Sequence, residues 1–138
     1  GSGADILIGG AGNDLIKGGL AADILTGNGG SDSFRYDSTS ESAAAGFDRI
    51  LDFTPGTDKI DLTRIDADGH AGGDQAFHWI GSNAFTGFGT ASAGELRAYQ
   101  NGGTWFVEAD TDGNGSADLI IELTLQGATP LGQGDFVL

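Results

Sequence analysis

Residues 9–35 read GGAGNDLIK, GGLAADILT, GNGGSDSFR when broken every nine residues. In that frame Asp14, Asp23 and Asp32 share one position, and Ile16, Leu25 and Phe34 fall two residues further on. Residues 1–8, GSGADILI, supply a fourth copy that lacks only its first position, with Asp5 and Leu7 in the matching places. A fixed period marks an array in which each unit packs on its neighbours. The spacing has a physical reading. Glycine admits the positive-φ backbone of a tight turn and lets carbonyls crowd together. The residues that follow, such as Asp14-Leu15-Ile16, then run as a short strand whose large residue faces inward.

Two copies complete one coil, so residues 18 apart stack: Asp5 over Asp23, and Asp14 over Asp32. Neighbouring strands lie about 4.8 Å apart. Two carboxylates at roughly 5 Å repel by about 3 kcal/mol at an effective dielectric of about 20. Such a stack opposes itself unless a cation enters it. Ca²⁺, a hard ion that takes about 6–8 oxygens, suits carboxylates combined with turn carbonyls. Ala21 and Asn28 stand where other copies have glycine. Asn tolerates positive φ better than Ala, so Ala21 puts the regularity of one turn in question.

The composition agrees. The chain has 138 residues, 26 of them glycine, and no cysteine or methionine. Acidic residues outnumber basic ones 20 to 6, for a net charge of −14, and 16 of the acids are the short, turn-favouring Asp. Phosphate would be repelled, which argues against a nucleic-acid partner. No apolar run reaches the ~20 residues of a membrane helix. Without cysteine there is no disulfide scaffold, thiolate metal site or Cys nucleophile. Interior helix glycines cost about 1 kcal/mol each, which disfavours a helical bundle. A hydrophobic content of 38%, with eight Phe and two Trp, argues against a disordered linker. Gly1-Ser2 matches a cloning scar, and the lack of Met points to a natural start upstream, so the chain reads as the C-terminal piece of a longer protein.

The pattern GGxGxDxUx is the calcium-binding nonapeptide of RTX proteins. The stretches SDSFRYDSTSESAAAGFDRILDF (31–53) and GTDKIDLTRIDA (56–67), with the terminal Asp135-Phe136-Val137-Leu138, resemble the C-terminal domain of serralysin-type secreted metalloproteases. The resemblance covers essentially the whole chain. It implies an all-β fold: a right-handed parallel β-roll over residues 1–35 that holds calcium, then an antiparallel β cap over 36–138. It also implies a bacterial protein exported by a type I apparatus that reads an uncleaved signal at Asp135–Leu138, hence an extracellular location. Carried over by position, one site takes the Asp5 and Asp23 side chains with the carbonyls of Gly1, Gly3, Gly18 and Leu20. The next takes Asp14 and Asp32 with the carbonyls of Gly10, Gly12, Gly27 and Gly29.

Beyond the repeats, residues 36–48 read as a connecting loop with a helical turn at ESAAA, and strands are expected in DRILDF (48–53) and KIDL (59–62). Asp48 and Asp58 suit either a further calcium site or solvated loop acids. The segment DADGHAGGD (66–74) spaces Asp66, Asp68 and Asp74 as a calcium loop or as an ordinary acidic loop. ELRAYQ and TWFVEA flank Asn101-Gly102-Gly103, a hairpin signal. In DTDGNGSAD (110–118), Asp110, Asp112, Asn114, the Ser116 carbonyl and Asp118 follow the alternate-residue order of an EF-hand loop. Ile121 stands where the bidentate Glu belongs, so the segment reads as a strand–loop–strand calcium loop or an acidic turn.

No catalytic constellation emerges. His70 and His78 lack the HExxH spacing, and neither a Gly-x-Ser-x-Gly elbow nor a phosphate-binding Gly-rich loop is present. The sequence therefore reads as a non-catalytic, monomeric calcium module that folds after export and supports an upstream domain. The serralysin resemblance implies a hydrolase such as a zinc protease there, while the same module also occurs on lipase-like, epimerase-like and adhesin-like chains. The alternative is a calcium-dependent carbohydrate-binding or adhesive module, in which Trp79, Phe85, Phe88 and Tyr99 stack on a polysaccharide.

Overall fold

The nine-residue units alternate between two sheets. In the computed structural model, which describes residues 1–89 and 92–138, the first and third copies give β1 (Ile6–Ala11) and β3 (Ile24–Gly29). The second and fourth give β2 (Leu15–Ile16) and β4 (Ser33–Arg35). β1 pairs parallel with β3, Leu7 opposite Leu25, and β2 pairs parallel with β4, Ile16 opposite Phe34. Each step is one 18-residue coil, as the spacing demands. The chain is all-β, with the layout of a β-roll.

Both sheets continue past residue 35. β5 (Asp48–Phe53) adds parallel to β3, and β6 (Lys59–Asp61) adds parallel to β4. β7 (His78–Trp79), β8 (Glu95–Asn101), β9 (Thr104–Asp110) and β10 (Leu119–Leu125) complete the larger sheet, in the order β1-β3-β5-β10-β9-β8-β7. Among the described strands, antiparallel pairing is confined to β8–β9 and β9–β10, apart from an isolated bridge between Ala43 and Gly46; β10 joins β5 in parallel. The smaller sheet runs β11-β6-β4-β2, with the terminal β11 (Phe136–Val137) parallel to β6.

The inward residue of each coil forms a continuous column. Leu25, Ile50 and Leu123 line the larger sheet, while Ile16, Phe34, Ile60 and Phe136 line the smaller one, all at 8% exposure or less. Phe34 and Phe53 meet between the layers, ring centroids 6.1 Å apart. Burying aliphatic and aromatic side chains of this kind contributes about 1.5–3 kcal/mol each.

Repeat glycines serve two purposes. At the second and fourth positions the backbone is left-handed: Gly10, Gly12, Gly19 and Gly30 have φ of 133°, 119°, 98° and 133°, and Asn28 and Ala21 follow at 68° and 85°. Ala21 thus keeps the turn regular at the cost of its own strain. At the first position the reason is space. A side chain at Gly18 or Gly27 would overlap the carboxylate of Asp23 or Asp32.

The hairpin closes through Gly102 and Gly103, φ 59° and 90°, with Asn101 opposite Thr104. The helical turn expected at ESAAA lies earlier, as a 3₁₀ turn over Thr39–Glu41. Ser38 caps it by accepting the Ser40 N–H, and Glu41 accepts the Asp37 N–H. These local bonds draw the turn toward the serines and away from the alanines.

Candidate metal centres

Each repeat aspartate stands just before a strand, and its two oxygens have different surroundings. Oδ1 accepts the backbone N–H of the aspartate one coil earlier: Asp5 to Asp23 at 2.7 Å, and Asp14 to Asp32 at 3.0 Å. The same bond links Asp23 to Asp48 at 2.8 Å and Asp32 to Asp58 at 3.0 Å. Two ladders result, Asp5–Asp23–Asp48 and Asp14–Asp32–Asp58. Asp48 and Asp58 are therefore the third rungs of the repeat stacks.

The Oδ2 atoms of Asp14, Asp23, Asp32 and Asp48 are buried without any hydrogen-bond donor. Leaving a buried ionised oxygen unpaired costs several kcal/mol. Around them lie more oxygens: a Cβ placed on Gly9 would be 2.5 Å from Asp14 Oδ2 and 2.9 Å from the Gly27 carbonyl. Such a cavity suits a hard cation.

The turn carbonyls are not all equally free. The Gly1 carbonyl accepts the Leu20 N–H at 2.9 Å, and Gly29 accepts the Gly12 N–H at 2.6 Å. Each keeps a second lone pair.

The third rungs end differently. Asp58 Oδ2 accepts the Thr54 N–H at 2.8 Å, whereas Asp48 Oδ2 has no donor. Burial pushes the Asp48 carboxyl up to about 7, with Asp23 and Glu41 adding like charge; the Asp23 N–H and neighbouring Tyr36 pull the other way. Burial likewise raises the Tyr36 phenol well above its ordinary value, and Asp48 reinforces the shift. Burial also raises Asp58. Ser42, fully buried, donates to the Ile120 carbonyl and accepts the Asp48 N–H, fixing the rung from behind.

Loop 110–118 is a second arrangement. Asp110, Asp112 and Asp118 each bring a carboxylate oxygen within 4.8 Å of the others, the only such trio among the described residues. Asp110, fully buried, accepts the N–H groups of Gly113 and Gly115, each at 2.7 Å. Asp112 accepts from Asn114, Asn114 from Ser116, and Asp118 from Thr111. The carboxylates thus shape the loop while facing one another.

Asp66, Asp68 and Asp74 do not converge in this way. Asp66 accepts the Asp68 and Gln75 N–H groups, Asp68 accepts that of His70, and Asp74 stays outside the pair. At the C-terminus, Asp135 is buried and accepts the N–H groups of Gly56 and Gly132.

The profile described as Peptidase M10 serralysin C terminal matches residues 1–138. The chain belongs to the serralysin C-terminal family. A curated relative, Metalloprotease AprA of Pseudomonas entomophila (strain L48), is 42% identical over 98 residues, covering 70% of this chain and 19% of that protein. The serralysin C-terminal domain thus spans about one-fifth of the relative it matches. Two solved structures share its fold: the R2 and R3 subunits of AlgE6, a mannuronan C5-epimerase of Azotobacter vinelandii. R2 has a TM-score of 0.60 and 30% identity, covering 97% of this chain and 76% of its own. R3 has 0.61 and 27%, covering 97% and 67%. The serralysin C-terminal domain is the non-catalytic part of its family, and rolls of the RTX type typically bind calcium.

Of the aromatics considered for sugar stacking, Trp79 packs on Phe136 with centroids 5.1 Å apart, and Phe85 and Tyr99 flank Arg97. Phe88 alone among the four is open, at 96% exposure. Sequence reasoning missed Ser42, Tyr36 and Asp52 as neighbours of the ladders. Asp52 offered one signal, its place four residues after Asp48.

Proposed function

We propose that this chain is a calcium-dependent folding and export module of an extracellular protein. The observation that carries the reading is the set of buried, donorless oxygens stacked along the two aspartate ladders. Asp5 and Asp23, with the carbonyls of Gly1, Gly3, Gly18 and Leu20, form one ligand set. Asp14 and Asp32, with the carbonyls of Gly10, Gly12, Gly27 and Gly29, form another. Asp48 extends the first ladder, Asp58 closes the second, and Asp110, Asp112, Asn114, Ser116 and Asp118 make a separate loop site. Bound calcium supplies the positive charge that lets stacked carboxylates approach. Right-handed winding is the expected hand for parallel strands joined by crossovers.

The energetics favour a switch. Ligand bound only to the folded form stabilises it by RT ln(1 + [L]/Kd), about 2.7 kcal/mol at 100 times Kd. Two or three such sites rival the ~5–15 kcal/mol net stability of an ordinary domain. Without calcium, carboxylate repulsion holds the roll open. The open chain presents Asp135–Leu138 to a type I apparatus; once folded, Phe136 and Val137 of this stretch form β11, so the signal is read before folding. The upstream part of the parent protein is the cargo that the module exports and steadies.

Far-UV circular dichroism with calcium and with EDTA tests this. β-structure that appears only with calcium supports the switch, and equal spectra in both overturn it.

A further inference from the structure

The Gly27–Gly30 turn is held from outside its own coil. Its Gly27 and Asn28 N–H groups donate to Asp52 Oδ1 and Oδ2, at 2.9 and 2.7 Å. Asp52 lies on β5, beyond Leu25–Ile50, where the β3–β5 register ends. At that point backbone pairing stops, and the Asp52 carboxylate serves in its place as acceptor for the turn amides.

The Gly27 C=O and the Asn28 N–H belong to one planar trans peptide, so they point in opposite directions. Fixing the N–H on Asp52 therefore aims the carbonyl the other way. In that direction the Gly27 oxygen and Asp14 Oδ2 flank the same point beside Gly9, 2.9 and 2.5 Å from where a Cβ would be. The bond also holds Asn28 in its left-handed turn, φ 68°, where other copies use glycine.

We propose that Asp52 is a positioning residue for the cation site of Asp14 and Asp32, acting through the Gly27 carbonyl. The proposal rests on the calcium reading above. Residues that orient metal ligands typically contribute about 10–100-fold in affinity. Asp135 provides the control: it too accepts two backbone N–H groups, from Gly56 and Gly132, but neither belongs to a repeat turn.

The test compares the full chain with Asp52→Asn and Asp135→Asn, using calcium titration calorimetry and the luminescence lifetime of directly excited Eu³⁺ in H₂O and D₂O. Asp52→Asn keeps its shape but turns a donor toward a donor. It is expected to weaken one site about 10–100-fold and to add bound water to one Eu³⁺. Asp135→Asn is expected to lower the melting temperature and, through folding linkage, to weaken all sites together, with Eu³⁺ hydration unchanged. Unchanged Eu³⁺ hydration in Asp52→Asn, or an equal gain of bound water in Asp135→Asn, overturns the positioning role while leaving the calcium reading intact. A parent chain that takes up neither ion overturns both. If Asp52→Asn fails to fold in saturating calcium, Asp52→Ala, which removes both acceptor oxygens without setting a donor against the turn amides, carries the same test: added water on one bound Eu³⁺ supports the role and parent-like hydration overturns it.

Discussion

Asp23 donates its backbone N–H to Asp48 Oδ1 at 2.8 Å across 25 residues of sequence, where the repeat itself spans 18. The bond makes Asp48 a rung of the ladder although it lies outside the nine-residue frame. Among the described residues its Oδ2 accepts no hydrogen bond, although the Tyr36 hydroxyl neighbours the carboxylate. Replacing Asp48 by Asn keeps the shape and removes the charge. We expect calcium affinity at that end of the roll to fall at least tenfold at pH 7.5, measured by calorimetry, with little change at loop 110–118.

Acidity should partly replace calcium at the same residue. The folded carboxyl lies at about 7, raised by burial, against about 3.9 in an unfolded chain. The folded state then binds the proton more tightly. Its contribution is fully present below about pH 4 and is lost as pH rises through about 7, a difference of roughly 4 kcal/mol. A calcium-free chain should therefore gain β-structure between pH 7.5 and pH 5, and Asp48→Asn should abolish much of that pH dependence. Circular dichroism in EDTA across this range is the check, and a flat profile in the parent chain contradicts it.

Glycine is needed at some repeat positions for space alone. A Cβ at Gly27 would overlap the Asp32 carboxylate, whereas one at Gly29 meets nothing within 4 Å. Gly27→Ala should lose a calcium site. Gly29→Ala should stay within about 0.5 kcal/mol of the parent chain. Melting in saturating calcium together with ion stoichiometry distinguishes the two.

Ala21 occupies a left-handed turn at φ 85°. A left-handed residue with a Cβ costs about 1–2 kcal/mol, so Ala21→Gly should raise the calcium-loaded melting temperature despite the added flexibility of the unfolded chain. An unchanged or lower value counts against the turn strain.

Loop 110–118 should bind its ion independently of the roll. Among the described residues, Asp112 bonds only within its own loop, to Asn114. Asp112→Ala should lower the calcium stoichiometry by one ion and leave the roll's circular dichroism in place. Loss of roll structure in this variant contradicts independence.

The nine-residue period was sufficient to read the coil, the inward column through Leu25 and Phe34, and the stacking of Asp5 on Asp23 and Asp14 on Asp32. A repeating unit makes the same contacts with each neighbour, so spacing alone specifies them. The hairpin at Gly102-Gly103 was legible for a similarly local reason, since two positive-φ residues between alternating strands admit few other turns.

The end of the array was not legible in that way. The third rungs follow at intervals of 25 and 26 residues, after insertions that break the frame. Lengthening a loop costs little entropy, so the period gives no account of where the chain rejoins the stack. The hydrogen bonds of Asp48, Asp58 and Asp52 decide it. β11 illustrates the same division. The family resemblance implies a signal at Asp135–Leu138, whereas only the fold seats Phe136 opposite Ile60, in the column begun by Ile16 and Phe34. Local periodicity determined the coil and its acidic turns. Long-range packing and the pairing of leftover N–H groups determined how the coil ends.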